Sequence, residues 1–482
     1  MFSILTKHNL FSAIIAVLIP FAAYADGTDA ETRMRDLEKQ LQVLSQELAA
    51  MQQQMANVKE EQVKEKGKSQ GSPVYAAFKD GLVFDDGSGN WKLQINGRIQ
   101  ADYRNYEGSD WKTDTFSIRR ARFGGTFSFL NDFAVRIEGE YANDNTGAKG
   151  TTALTYGYLD FTRWQGAKIR VGQFKPFFGL ERPHSTNFTD FTELSLATNN
   201  GSIFNSTYDR GIMVFGDPLS WLNYNVYAIN GTGQNNDESV DNSKDVGGRI
   251  NVNLAKLTNV DNAVIHVGAS LSSGTVSYAS TTATSISQVT EANGAQFFNV
   301  AGLQNKDADR DRWGLETALA YGPVKFQSEY IRSNLKGIKT GAPGAGAYDK
   351  DIDAWYANLT WMLTGESYAD SYKNGVFGRM KPKNNFDSKN GWGAVELDLR
   401  YSRFDASDFK NMLSAGGVPG RNVCTVCTAK ADAWTGGVKW ILNPNARILL
   451  NYVHTEFDTP IRVNGKLGDD EDALVLRAQY DF

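Results

Sequence analysis

From Trp91 onward, apolar and polar residues alternate. Between Leu93 and Arg104 one face carries Leu93, Ile95, Gly97, Ile99, Ala101 and Tyr103, and the other Gln94, Asn96, Arg98, Gln100, Asp102 and Arg104. A period of two predicts a strand with one apolar and one polar face. Similar segments recur near 116–129, 133–141, 153–162, 167–175, 209–216, 222–230, 245–254, 263–273, 312–322, 324–332, 351–363, 392–404, 431–442, 446–457 and 472–482, about sixteen in all. Short connections fall at Leu130–Asp132, Arg163–Gly166, Asp217–Trp221, Tyr321–Gly322 and Asn443–Asn445. Long ones fall near 105–115, 142–152, 176–208, 231–244, 274–311, 333–350, 405–430 and 458–471. By parity Thr364 to Asn390 should be a short turn, yet it spans about 27 residues. The final strand aligns Leu474, Leu476, Ala478, Tyr480 and the terminal Phe482 on one face. A soluble sandwich also alternates. An even strand count, short turns opposed to long loops, and a closing aromatic strand fit better an all-β transmembrane antiparallel β-barrel of about sixteen strands. Tyr103, Phe127, Phe129, Tyr141, Trp221, Trp361 and Trp440 are candidates for its interfacial girdles.

Upstream, the period changes. Met34, Leu37, Leu41, Leu44, Leu48, Met51, Met55 and Val58 are spaced 3, 4, 3, 4, 3, 4, 3, a heptad seam that predicts a short coiled-coil helix of roughly 40 Å. Leu10 to Ala23 is apolar, follows Lys7 and His8, and ends in Ala23-Tyr24-Ala25, the pattern of a signal peptide cut after Ala25. The expected plan is a signal peptide (1–25), a periplasmic coil (26–62), a linker (63–90) and the barrel (91–482) with an inward third loop at 176–208. The coil calls for self-association and could reach peptidoglycan.

Composition then removes alternatives. With 482 residues, net charge -5 and 41% hydrophobic residues, the chain lacks the long apolar runs of a helical membrane protein. Two cysteines cannot staple so long a chain; Cys424 and Cys427, in a predicted outer loop, are a candidate disulfide rather than a zinc site. No nucleophile elbow, phosphate loop or metalloprotease motif occurs, so the reading is of a non-enzyme without cofactor, metal or nucleic-acid partner.

If apolar faces meet lipid, the polar faces line water. On the early strands that lining is basic: Arg98 and Arg104, then Arg120 and Arg122, then Arg136, then Lys168 and Arg170. Arg119 has the outward parity and needs a strand end or a subunit interface to explain it. After Pro176 no strand returns until about Arg210, and the intervening loop is partly apolar, with Phe177, Phe178, Phe188 and Phe191. Such a loop is expected to fold into the lumen and narrow it, framed by Lys175 and Arg182. Arginine's fork binds phosphate and carboxylate, and rings of Arg or Lys select anions. Lumenal acids (Asp102, Glu138, Glu140, Asp160) leave a weakly selective pore open as well. The loop is mixed in charge, so its width is the firmer expectation.

Three stretches carry a resemblance: Arg119-Arg-Ala-Arg-Phe-Gly-Gly125, Arg170-Val-Gly-Gln-Phe-Lys-Pro-Phe-Phe-Gly-Leu-Glu181, and Leu363-Thr-Gly-Glu-Ser367 followed by Met380-Lys-Pro-Lys383. Together they resemble the phosphate-selective porin O and P family over residues 75–482. The resemblance implies a homotrimeric sixteen-stranded barrel in outer-membrane lipid, with a third loop folded inward and an arginine ladder for phosphate or polyphosphate. On this chain that role would pass to Arg120 and Arg122, then Arg98, Arg136 and Arg170, with Lys175 opening the constriction. Alternatives are a general or sugar-type diffusion porin, whose loop aromatics would stack sugars, and a structural protein tethering the envelope through its coil.

Overall fold

The computed structural model describes residues 73–482 apart from 108–110, 143–151, 237–241, 276–283, 305–307 and 417–421, together with helical positions scattered between 39 and 53. Of the heptad seam only Met51 is among them; the coiled coil and the signal peptide otherwise lie outside the described residues. Sixteen strands make the wall: β1 (Trp91–Glu107), β2 (Thr115–Phe129), β3 (Phe133–Glu140), β4 (Ala153–Phe161), β5 (Lys168–Phe174) and β6 (Asp209–Leu219). Then come β7 (Leu222–Ile229), β8 (Asp245–Asn253), β9 (Ala263–Thr275), β10 (Asp309–Tyr321) and β11 (Val324–Lys339). The last are β12 (Gly346–Met362), β13 (Ala394–Asp405), β14 (Lys430–Ile441), β15 (Ala446–Val463) and β16 (Lys466–Asp481). Each pairs antiparallel with the next, and β16 returns to β1 from Asp472↔Glu107 to Asp481↔Arg98. Phe482 and Gly97 exchange two backbone hydrogen bonds of 2.9 Å, so the terminal aromatic residue completes the closure.

The alternation sorts as lipid requires. Ile99, Phe123, Ile137, Val171, Val226, Leu315 and Leu359 are exposed on the outside, whereas Gln100, Asp102, Glu138, Asn225, Glu316 and Arg400 are buried inside. Aromatic contacts mark both rims. Phe129, Phe133, Phe161 and Trp164 touch in sequence at the short-turn rim. Trp355, Tyr401 and Trp434 do so toward the loops. No described helix is long and apolar enough to cross a membrane; the strands cross instead.

Several boundaries differ from expectation. Within the stretch expected as a linker (63–90), Tyr75–Phe78 and Leu82–Asp85 form a hairpin that pairs with β1. The connections near 333–350 and 458–471 are not long loops. The β11–β12 ladder continues to Lys339↔Gly346, and β15–β16 closes on a turn at Asn464 and Gly465. Past the membrane both strand faces meet water, so alternation fades while the ladder goes on. The 274–311 connection holds a second hairpin, Thr284–Val289 with Gln296–Leu303. Its Phe297 and Phe298 pack on Phe404, Phe409 and Phe457 inside the barrel mouth. The long turn after β12 also folds inward. Its 3₁₀ turn Tyr368–Ser371 and a small hairpin ending at Phe377 reach the third loop, where the Phe377 N–H donates to His184 Nε2 at 3.0 Å.

One glycine is decisive for the wall beneath the third loop. Gly172 in β5 has φ +127°, and a Cβ there would come within 2.8 Å of the Tyr158 Cα on β4. Gly172→Ala meets both strain and backbone contact, at a cost of about 2 kcal/mol or more. The expected result is a folded barrel that converts to the unfolded form at lower temperature, read by heat-dependent gel mobility.

Candidate functional site

The basic lining begins with a bulge. In the β1–β2 ladder Gln100 pairs with Arg120 and Ala101 with Ile118, so Arg119 is the extra residue. A bulge lets two consecutive side chains share a face. Arg119 therefore points into the lumen beside Arg120, and its Nε donates to Glu193 at 2.7 Å. This corrects the outward parity assigned from alternation.

The third loop (175–208) is pinned through its acids. Glu193 accepts from Arg119, Arg104 and Arg477. Burial alone would raise its pKa, but these guanidinium groups hold it well below the ordinary carboxylate range. Glu181 meets Arg400 at 3.3 Å, and Asp190 meets Lys325 at 2.7 Å. Glu329 on β11 accepts the backbone N–H groups of Leu180 (2.8 Å) and Glu181 (2.6 Å). His184 is buried; burial, then Lys325, pushes it down to about 3, so its neutral ring accepts the Phe377 hydrogen bond.

The loop's cations are disposed differently. Lys175 donates to the His184 carbonyl at 2.9 Å, and Arg182 donates to the carbonyls of Thr198 and Ser206. Arg120 is held by the neutral Gln100 Oε1 at 2.9 Å. None of the three has a carboxylate at ion-pair distance among the described residues. Burial, then Arg182, Arg122, Arg98 and Arg120, pushes the Lys175 ammonium well below the lysine range. An anion beside it would favour its charged form.

Two cavities follow the β1–β4 wall. One of about 560 Å³ opens toward the loops and is lined by Arg119, Arg120, Arg122, Lys175, Arg182, Tyr208 and three acids, Glu140, Glu193 and Glu291. One of about 330 Å³ opens toward the short turns and is lined by Arg98, Arg122, Arg136, Glu138, Phe188, Arg379 and Phe482. Arg122 lines both. Between them Arg98 Nη1 donates to Thr186 Oγ1 at 2.5 Å, and Arg122 Nη1 donates to the Tyr208 hydroxyl at 2.6 Å. Arg122 also pairs with Glu140, and Arg136 with Glu138 under the Tyr156 ring.

Not every candidate reaches this path. Arg104 lies under the loop against Asp102 and Glu193. Arg170 is bidentate on Asp160 and stacks on Tyr158, its Cζ 3.8 Å from the ring centre. Lys168 lies near Phe215, 5.9 Å from its ring, away from both cavities. Phe177 packs on Phe215 and Phe178 on Phe204, so these rings fill the space behind the loop rather than the passage. The later arginines are spoken for: Arg249 by Glu316, Arg400 by Glu291, Arg477 by Asp102. Sequence reasoning missed Glu291, on the second hairpin, which accepts from Arg400, Ser402 and Thr435 of the far wall. The apolar Phe297-Phe298 pair after it was the available signal. Cys424 and Cys427 are bonded, with Cα atoms 5.2 Å apart.

A closed barrel with an apolar outside, a charged lumen and an inward loop that leaves offset cavities is an outer-membrane diffusion channel, a porin. Residues 93–482 match the family model described as phosphate-selective porin O and P, and the chain belongs to that family. It is 27% identical over 440 residues to Porin O of Pseudomonas aeruginosa, covering 86% of this chain and 94% of that protein. Among solved structures it is similar to an anion-selective porin from Comamonas acidovorans, with 11% identity, TM-score 0.50, and 81% and 100% of the two chains covered. The outer membrane channel DcaP of Acinetobacter baumannii aligns with 12% identity and TM-score 0.48 over 82% and 98%. At 11% identity the likeness to the Comamonas porin speaks to the fold alone.

Proposed function

We propose that this porin passes small anions, phosphate or polyphosphate first, along the β1–β4 wall. One observation carries the reading: among the described residues the lining cations Arg120, Lys175 and Arg182 have no acid partner, whereas every lining acid of the larger cavity is already paired with arginine. The passage therefore presents uncompensated positive charge although the chain is acidic overall. Arg98, Arg120, Arg122 and Arg136 would hand an anion from one cavity to the next, with Lys175 at the crossing. Diffusion is passive, and binding must stay weak enough for release. The family description and the anion-selective relative support the same solute class. A sugar-stacking path has less support, because Phe177, Phe178 and Phe191 are turned into the wall, and Phe188, the one of the four that lines either of these two cavities, is stacked with Arg379 and Arg447. The same reading includes a homotrimer with its coil in the periplasm. It joins through the uncharged outward face of β2–β5, where Phe116, Ile118, Ile137 and Val171 are exposed.

Planar-bilayer recording tests the solute. Phosphate titrated into a chloride bath should reduce the chloride current in a saturable way, and Arg122→Ala should weaken that block. A cation-biased current, or one indifferent to phosphate, would overturn the reading.

A further inference from the structure

The outward surface of β11–β16 repeats one arrangement three times. On β11, Tyr330 is followed two residues later by Arg332, whose direct cross-strand partner on β12 is Asp353. On β13, Tyr401 and Arg403 stand the same way to Asp432 on β14. On β15, Tyr452 and His454 stand so to Asp472 on β16. The bonds repeat too. Each tyrosine hydroxyl donates to the aspartate, at 2.8 Å for Tyr401 and Tyr452 and closely for Tyr330. The basic side chain meets the same carboxylate: Arg332 Nε at 2.7 Å, Arg403 Nη1 at 3.5 Å, His454 Nδ1 at 2.8 Å. Cross-strand register lines up Tyr330, Trp355 and Arg403, and likewise Tyr401, Trp434 and His454, which sets the three motifs at one height; side-chain exposure of 39%, 37% and 36% keeps Arg332, Arg403 and His454 reachable.

That height is the loop-side interface. Trp355 and Trp434, opposite Tyr330 and Tyr401, belong to the upper aromatic girdle. Polar groups just above a girdle lie at head-group depth. Among the described residues, the outward positions of β2–β5 have no counterpart: they carry Phe116, Ile118, Phe123, Ile137, Leu159 and Val171. The collar is thus confined to the half of the wall left to lipid if β2–β5 meets a second subunit. Asp353 takes Arg332 Nε and Nη2, while Arg332 Nη1 stays 3.6 Å from Asp351 and Arg403 stays 3.5 Å from Asp432 and 4.0 Å from Asp405. Those guanidinium edges are half-exposed and only loosely paired, which suits phosphate oxygens. Carboxylates nevertheless outnumber cations here. Asp353 and Asp405 are direct cross-strand neighbours, and Asp351 and Asp470 add to them, against one further cation, Lys430, 3.2 Å from Asp405. Like charges placed opposite repel unless a counter-ion is shared.

We propose that this collar docks the phosphorylated glycolipid of the outer leaflet. Arg332 and Arg403 hold its phosphates, and divalent cations are shared between those phosphates and the surplus of carboxylates over cations. The partner is a lipid, and the contact is independent of the solute that the pore conducts.

The test uses the purified full-length porin in detergent with magnesium, exposed to diphosphorylated lipid A or to the same lipid after enzymatic dephosphorylation. Retained lipid is counted by native mass spectrometry. The phosphorylated form should be retained in preference. Arg332→Gln with Arg403→Gln, or a chelator, should lower that retention on the order of tenfold. Arg332→Lys with Arg403→Lys should lose less, because charge survives while the fork does not. Chloride conductance of all variants should match the parent, which also certifies that they fold. Equal retention of the two lipids, or retention unchanged in the Gln pair, overturns the proposal. So does a Gln pair whose oligomer mass falls, because the collar would then be a subunit contact.

Discussion

Replacing Glu193 by Gln is expected to loosen the third loop and raise conductance. The wild-type carboxylate is shared by Arg104, Arg119 and Arg477, three guanidinium groups from β1, β2 and β16. An amide of the same shape can accept from one of them, but it turns an NH₂ toward the others. Removing one partner of a buried ion pair costs about 3–5 kcal/mol, because the remaining charges stay buried without compensation. The loop has further anchors in Glu181 with Arg400 and Asp190 with Lys325, so the barrel should still form. Loosening should be confined to the segment near Glu193, which borders the larger cavity. Three readouts should therefore move together. The unfolding midpoint falls, single-channel conductance rises with more open-state noise, and anion preference increases because a lining carboxylate is gone. A variant with wild-type conductance and wild-type stability would show that Glu193 does not hold the loop in place.

The same carboxylate shows where sequence reasoning stopped. Alternation locates most of the wall, because lipid outside and water inside impose opposite chemistries on successive residues. It even assigns Arg120 and Arg122 to the lumen. It fails at Arg119, because one bulge shifts every parity inferred across it. Two adjacent arginines in one strand were the clue, since one of them would otherwise face lipid. Alternation also fades above the membrane, so the β11–β12 and β15–β16 hairpins read as loops. Charge partition was the deeper difficulty. In the chain, Lys175, Arg182 and His184 against Glu181, Asp190 and Glu193 look balanced. In the fold the acids turn to arginines and lysines of the wall, Lys175 and Arg182 border the passage, and His184 is buried as a neutral ring. That sorting depends on contacts between residues tens to hundreds of positions apart, as with Glu181 and Arg400, and no local pattern carries it. The inward second hairpin and the folded turn after β12 were hidden for the same reason, although the unusual length of that turn was visible.

Reversing Arg120 should change ion preference more than any other single substitution in the passage. Among the described residues its guanidinium is held by the neutral Gln100 and by no acid, so no acid pair is broken when it goes. In the larger cavity Arg119, Arg120, Arg122, Arg182 and Lys175 face Glu140, Glu193 and Glu291. Arg120→Glu removes a cation and adds a carboxylate, which brings the two sets level when a passing anion keeps Lys175 charged, and leaves the acids in excess when it does not. For an ion passing at about 6 Å, a change of two charges contributes roughly 1.4 kcal/mol even at the dielectric of water, about tenfold in occupancy. The less polarisable wall can only enlarge that figure. Arg120→Gln, which removes one charge and nearly preserves size, should fall about halfway. The measurement is the zero-current potential across a bilayer in a potassium chloride gradient. The parent should sit on the chloride side, Arg120→Gln closer to zero, and Arg120→Glu at or beyond zero. Arg170→Gln serves as the comparison: that arginine is neutralised by Asp160 away from both cavities, and it should leave the potential in place. If Arg120→Glu left the potential where the parent has it while Arg170→Gln moved it, the conducting path would follow another part of the wall, and the unpaired charge at Arg120 would have no bearing on selection.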